Sequence, residues 1–255
     1  MEKRYIFYTG GWDSTYRMIE LSRMELEIQP IYCIDAGRNS KDIEIERIKE
    51  IIKSLEEHTE TKSVFLPLLC VEVDKIEPNE KITNAYKKIC EKVKLGSQYD
   101  WLARLATKYP GIELGIEKPH GEYSGCIDAI NTFGKLEEKD NSWRIKSDES
   151  SEECNLVFGN FSFPIMEKTE KDMVENLKEL KVYDDTMKKI WFCHKPINGE
   201  ACGYCRPCQQ KMECDMSFLL PEKSQKRYYK YKKLDKFFGN KIAKAILLVD
   251  NKIKK

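Results

Sequence analysis

Apolar residues along this chain fall into two alternating rhythms, and their order predicts an α/β fold. Tyr5, Ile6, Phe7 and Tyr8 form a short unbroken run, and residues 16–24 follow with helical spacing. A second run at 28–34 leads into a long helical pattern through Ile48, Ile51, Ile52 and Leu55. Residues 64–69 read as a third strand that continues irregularly through Val71 and Val73. Ile82, Ala85, Tyr86, Ile89 and Val93 mark a helix, residues 98–108 another that stops before Pro110 and Gly111, and residues 112–116 the next strand. This β-α-β-α order predicts a mostly parallel sheet with helices on both faces, whose ligands bind beyond the carboxyl ends of the strands. Residues 135–153 are polar and poorly periodic, and are expected as a solvent-exposed insertion or mobile loop. Residues 156–163, ending at Pro164, are expected as a strand. Thr169 and Asp172 then stand at capping-box spacing before a helix that reaches residue 180.

Composition narrows the class. With 255 residues and 41% hydrophobic content, the chain can bury a proper core. No run approaches the roughly 18 apolar residues of a membrane span, and the charged start Met1-Glu2-Lys3-Arg4 lacks a secretory apolar stretch. A cytoplasmic location is expected. Net charge is only +1, yet residues 222–255 carry twelve Lys or Arg against three acidic residues. Tyr228, Tyr229, Tyr231, Phe237 and Phe238 are interleaved with those charges, as in a nucleic-acid-binding tail with stacking side chains. Leu234, Phe237, Phe238, Ile242, Ile246 and Leu247 also recur at helical spacing, which favours a basic amphipathic helix packing its apolar face on the body or on a partner. The expected division is a nucleotide-binding domain over 1–185, a four-cysteine region over 186–220 and a basic helical tail over 221–255.

The chemistry concentrates at two places. Thr9, Gly10, Gly11, Trp12, Asp13, Ser14 and Thr15 lie between the first strand and the first helix. Two glycines let the backbone approach an anion closely, and the first-turn N–H groups with the helix dipole attract a pyrophosphate. The hydroxyls of Thr9, Ser14 and Thr15 add donors. Asp13 beside bare phosphates would repel them, which makes sense if it orients a Mg2+ ion or a substrate amine. There is no G-x4-G-K-[ST] and no G-x-G-x-x-G, so neither a P-loop kinase nor a nicotinamide enzyme is indicated.

Cys193, Cys202, Cys205 and Cys208 form C-x8-C-x2-C-x2-C, spacing that aims four thiolates at one point. Four convergent thiolates suit a closed, structural tetrahedral Zn2+ site. An iron–sulfur cluster is the rival, with Cys214 available to replace one ligand. The six other cysteines are scattered singly, so a reduced compartment fits better than a disulfide framework.

The hydroxyl-Gly-Gly-x-Asp-Ser loop resembles the S-G-G-x-D-S loop of the ATP pyrophosphatases. Together with the cysteine pattern it resembles the 7-cyano-7-deazaguanine synthase family within them, over roughly residues 4–216. Asp35-Ala36-Gly37-Arg38 looks like that family's D-Y-G-Q segment near the adenine and ribose, which implies ATP contacts for Asp35 and Gly37. The segment from Glu122 and Tyr123 to Asp128 looks like its D-Y-S-G-Y-P-D segment. The carboxylate of Asp128 can accept paired hydrogen bonds from a guanine-like base. Gln98 stands where the family carries an Arg, Ala129-Ile130 where it has Cys-Arg, and the Lys of its T-K-x-E segment has no clean counterpart near 168–172. The ATP loop and metal site are thus retained better than the acceptor pocket. The resemblance implies a homodimer that binds Mg-ATP at residues 9–15, with Asp13 and Ser14 at the reacting phosphate. A deazaguanine carboxylate becomes an acyl-adenylate, and ammonia then gives an amide and a nitrile. Other readings are a paralogue in anti-phage defence that transfers the activated acid to a partner macromolecule, a tRNA thiolase with an iron–sulfur cluster, and a non-enzymatic zinc-stabilised binding module.

Overall fold

The computed structural model describes residues 1–118, 125–180, 183–214 and 216–253, with the backbone alone at 183, 184, 244 and 248–253. It is an α/β protein built on a parallel sheet. In chain order the elements are β1 Glu2–Phe7, α1 Trp12–Ser22, β2 Leu26–Ile34, α2 Lys41–Glu56, β3 Val64–Phe65, β4 Leu69–Glu72, α3 Glu80–Cys90, α4 Gln98–Ala106 and β5 Ile112–Glu113. They continue with α5 Gly125–Phe133, β6 Leu136–Lys139, β7 Ser142–Ile145, α6 Glu152–Phe158, β8 Phe161–Ser162, α7 Glu170–Glu179, α8 Tyr183–Thr186, α9 Arg206–Glu213, α10 Glu222–Phe238 and α11 Asn240–Ile253. None of the helices, over the described residues, is long and apolar enough to cross a membrane.

The sheet runs β3-β2-β1-β5-β8, with β4 also paired to β2, and every pairing in it is parallel. β1 and β2 are in register from Glu2 opposite Leu26 to Phe7 opposite Ile31. One expected strand, 64–69, is instead split in two. Pro30 in the middle of β2 brings no N–H to the ladder, and the facing chain breaks at Pro67, whose carbonyl takes the Gln29 side-chain amide at 2.8 Å.

Two compact units divide the chain. The first comprises Met1–Ala36 and Arg47–Ile190, the second Gly37–Glu46 and Trp191–Lys255. In the first, Phe7, Ile31, Ile112 and Phe161 of the sheet join Ile82, Ala85 and Ile89 of α3, Leu102 and Ala106 of α4, Ala129 and Ile130 of α5 and Phe158 of α6 in a continuous core. Ile6 and Tyr8 alternate to the opposite face, where the Tyr8 hydroxyl lies 3.3 Å from Thr15 Oγ1 of α1. The capping box of α7 forms as expected: the Asp172 N–H donates to Thr169 Oγ1, and the Thr169 N–H donates to the Asp172 carboxylate.

Two expectations are overturned. Residues 135–153 contain a hairpin, β6 to β7, turned at Asp140 and Asn141 with φ of 54° and 57°, the left-handed pair of a tight two-residue turn. It is anchored by Trp143 and Phe163, whose backbones exchange hydrogen bonds, and by Leu136, Trp143 and Ile145 against the core. Residues 156–163 are the end of α6, a turn, and the short strand β8 rather than one strand. The Ser151 hydroxyl caps α6 by accepting from the Cys154 N–H, which commits the residues after it to a helical start.

The second unit gathers around its cysteines. Cys193, Cys202, Cys205 and Cys208 are buried with Trp191, Tyr204, Leu220, Tyr231, Ala243 and Leu247, and Ile43 packs against them. The basic tail is two helices. Gly239, at φ 76°, ends α10, and its carbonyl accepts the Ala243 N–H at 3.0 Å in α11.

Candidate functional site

The loop at 9–15 arises because β1 must turn sharply into α1. Gly10 takes φ of 66°, a conformation that favours glycine, and Gly11 is the N-cap of α1 without any side chain to cap it. The helix ladder begins with the Thr15 N–H donating to the Gly11 carbonyl at 3.0 Å, so the first-turn amides of α1 lie ahead of it. Thr9 Oγ1 and Ser14 Oγ stand 3.5 Å apart across the turn. Trp12, Ser14 and Thr15 are buried, Gly11 and Asp13 half-buried, and Thr9 exposed. Burial keeps the Tyr8 phenol well above its usual value, so it remains a neutral support for Thr15.

The position of this loop in the sheet is informative. Strand order reverses about β1: β2 lies on one side and β5, reached by the chain only much later, on the other. Crevices at the carboxyl ends of strands flanking such a reversal are where open parallel sheets bind ligands. Gly115, two residues beyond β5, faces the loop there: a Cβ placed on it would lie 3.4 Å from the Ser14 amide nitrogen and 3.5 Å from Asp13 Cβ. Any longer side chain at 115 would crowd the amide end of α1. Glu113, fully buried on β5, fixes the approach of the two elements. Arg17 of α1 grips it twice, Nε to Oε2 at 2.7 Å and Nη2 to Oε1 at 2.9 Å. Burial opposes the Arg17 charge, but Glu113 and Glu20 more than offset it and hold the guanidinium above its ordinary value.

Asp35 and Gly37 are exposed just past the carboxyl end of β2, Asp35 in the first unit and Gly37 in the second. Gln98 opens α4 and Asp128 lies in the first turn of α5, both exposed. α5 starts beside the residues that lead into α4: a Cβ on Gly125 would run into the Lys94 carbonyl, and Tyr99 of α4 and Cys126 of α5 are buried in the same core. Glu122 and Tyr123 lie outside the described residues. Burial pushes the Cys126 thiol up to about 12, which makes it a poor nucleophile.

In the second unit, the ligand-forming atoms of Cys193, Cys202, Cys205 and Cys208 all lie within 4.8 Å of one another, and all four residues are buried. Sulfur–sulfur separations are 3.9 Å for Cys193–Cys205, 3.9 Å for Cys202–Cys208 and 3.4 Å for Cys205–Cys208. A tetrahedral Zn2+ with bonds of about 2.3 Å would set its sulfurs about 3.8 Å apart, so the cluster can hold such an ion with little movement. Backbone N–H groups already point at the sulfurs, from Cys202 to Cys193 at 3.1 Å and from Cys205 to Cys202 at 3.2 Å. Donors of this kind stabilise thiolate charge. Hydrogen bonding with Cys193, then Cys202 and Cys208, holds the Cys205 thiol far below the ordinary cysteine value.

Local sequence explains the convergence. Asn198 and Gly199, at φ of 52° and 77°, turn a minimal hairpin between Ile197 and Glu200 that returns the chain from Cys193 towards Cys202. Gly203, at φ 85°, leaves room for the Ser224 carbonyl that a Cβ would strike. Cys205 is the N-cap of α9, whose first turn holds Pro207 and delivers Cys208. From α10, Arg227 donates to the carbonyls of Ala201 at 2.8 Å and Cys202 at 2.9 Å.

Sequence reasoning missed Gly115, the Arg17–Glu113 pair and the Asn198-Gly199 turn. The last had a signal, since Asn-Gly is the commonest two-residue hairpin turn. Arg17 and Glu113 had none, being 96 positions apart. No protein-family model matches the chain, and no curated protein matches it.

Proposed function

We propose that the first unit is an ATP pyrophosphatase of the PP-loop type, which adenylates the carboxylate of a 7-deazaguanine-type acid and passes the acyl group to ammonia. The observation that carries this reading is the glycine turn at residues 9–15, at the strand-order reversal between β1 and β5, with the amide end of α1 opposite Gly115. Main-chain N–H groups there are preset for the negative charge of a triphosphate. They do not reorganise as that charge shifts towards the departing pyrophosphate.

In the reaction so read, a carboxylate oxygen of the acid attacks the α-phosphorus and the bond to the β-phosphate oxygen breaks, releasing pyrophosphate. Ammonia then adds to the acyl carbon, the carbon–oxygen bond to AMP breaks, and an amide results. A second adenylation, at the amide oxygen, would release a second pyrophosphate, and departure of AMP carrying that oxygen, with loss of the two N–H protons, would give the nitrile. Thr9 and Ser14 hydroxyls would donate to phosphate oxygens, and Asp13 would hold the Mg2+ that accompanies ATP, which would lessen phosphate repulsion. Gln98 and Asp128, on adjoining helices, supply acceptor contacts. The four cysteines would hold a structural Zn2+, away from the chemistry.

Incubation with Mg-ATP, ammonium and 7-carboxy-7-deazaguanine should release pyrophosphate and yield a product lighter than the acid, by the exchange of OH for NH2 in the amide and by the elements of one water more in the nitrile. Asp13→Asn should lower the rate by roughly a hundredfold or more, the scale of losing one preset electrostatic partner, with the circular dichroism spectrum unchanged. Equal turnover in that variant would remove Asp13 from the mechanism. Absence of pyrophosphate with a panel of planar heterocyclic acids would sink the reading as a whole.

A further inference from the structure

Helix α10 has two opposed faces. Ser224, Tyr228 and Tyr231 are buried, with the Tyr204 and Tyr231 ring centroids 6.4 Å apart beside the cysteines. Lys226, Tyr229, Lys230, Lys233, Lys236 and Phe237 are all exposed. At 3.6 residues per turn these six fall within about 120° of arc, on the side away from the buried three. Tyr229 and Phe237 are 64% and 70% exposed, a large apolar area for a residue type usually kept from water. Within residues 222–255 the surplus of twelve basic over three acidic residues leaves the region strongly cationic.

We propose that the outward face of α10 binds single-stranded nucleic acid, its lysines following the phosphates while Tyr229 and Phe237 stack on bases. The stripe runs for about 16 Å, with a lysine near every turn of about 5.4 Å, a spacing that tracks a flexible polyanion. Aromatic side chains sharing an arc with lysines are the arrangement that grips a strand without reading its sequence. A helix made for an anionic membrane surface is built otherwise, with a broad apolar face separated from its cations. In α10 the apolar face, Tyr228, Tyr231 and Leu234, is already turned into the protein's own core. Lys226 is paired with exposed Glu222 at 2.7 Å, a surface contact weak enough to be exchanged for a phosphate. This proposal stands independently of the ATP reading, since it uses no residue of the first unit.

Fluorescence anisotropy of the full-length chain with labelled 12-nucleotide oligo(U) and oligo(dT), between 50 and 200 mM salt, tests it. Binding should weaken with salt at a log–log slope of about −2.8, for four lysines at about 0.7 each. Lys230→Gln with Lys233→Gln should flatten that slope by about 1.4. Tyr229→Ala with Phe237→Ala should weaken binding roughly tenfold or more and leave the slope unchanged, because stacking releases no counterions. All four positions are exposed, so folding is preserved, and circular dichroism checks this. No binding at 50 mM salt, or variants that bind like the parent, would overturn the proposal. So would sedimentation with phosphatidylserine vesicles without oligonucleotide binding, or a dimer in light scattering that only Tyr229→Ala with Phe237→Ala splits.

Discussion

Arg17 and Glu113, with Arg4 and Glu20 beside them, show how buried charges can hold the helix after a glycine turn against the neighbouring strand. Glu113 has no exposed side-chain surface and Arg17 only 13%, so each depends on the other for the hydration it has lost. Removing one partner strands the other. Glu113→Ala is expected to cost about 3 kcal/mol or more, read as a lower urea midpoint, and a midpoint unchanged from the parent would show that Glu20 alone satisfies Arg17. None of this is legible in the sequence, where an acidic residue in a two-residue strand looks like surface. What is legible at this scale is local: Gly10 and Gly11 can be read because the turn they make is complete within seven residues, whereas Gly115 matters only once β5 is laid beside β1.

Elements follow the same division between near and far causes. β1, α1, β2, α2, α3, α4 and α7 stand close to their apolar runs, since each carries its own rhythm and its own stops. The hairpin β6–β7 escapes notice because its turn uses Asp140 and Asn141 where a glycine would have announced it, and its strands are mostly polar apart from Leu136, Trp143 and Ile145. The tail defeats a one-helix reading at Gly239: Leu234 and Leu247 pack inward, but Phe237, Phe238 and Ile242 remain exposed. Among turns, Gly203 is the sharpest test. Its positive φ and the facing Ser224 carbonyl penalise any side chain. Gly203→Ala should lower the thermal midpoint of the second unit and loosen a metal bound by its cysteines, measured as faster transfer to a chromogenic chelator. Retention equal to the parent would mean the knuckle can shift to admit a methyl group.

For the molecule as a whole, cysteine spacing predicts the cluster, and the structure brings the four thiols together. Bound Zn2+ would contribute about 10 kcal/mol or more to holding this unit folded. Metal analysis should give one ion per chain, and Cys205→Ser or a strong chelator should abolish the tertiary signal of Trp191, which is buried beside the ligands and donates to the Cys193 carbonyl at 2.8 Å. Loss of metal should set in as pH falls, because each bound thiolate must take up a proton to leave. A metal-free chain with an unaltered Trp191 spectrum would contradict the structural role.

Membership of Gly37–Glu46 in the second unit has a consequence for how the protein is made. Those residues leave the ribosome before Trp191–Lys255, with all of Arg47–Ile190 synthesised in between. Ile43 therefore waits for the thiol cluster it will cover until Cys193 to Cys208 have been synthesised. A fragment begun at Trp191 for recombinant work would lack that cover, and a stable excised version calls for the ten residues to be grafted back on.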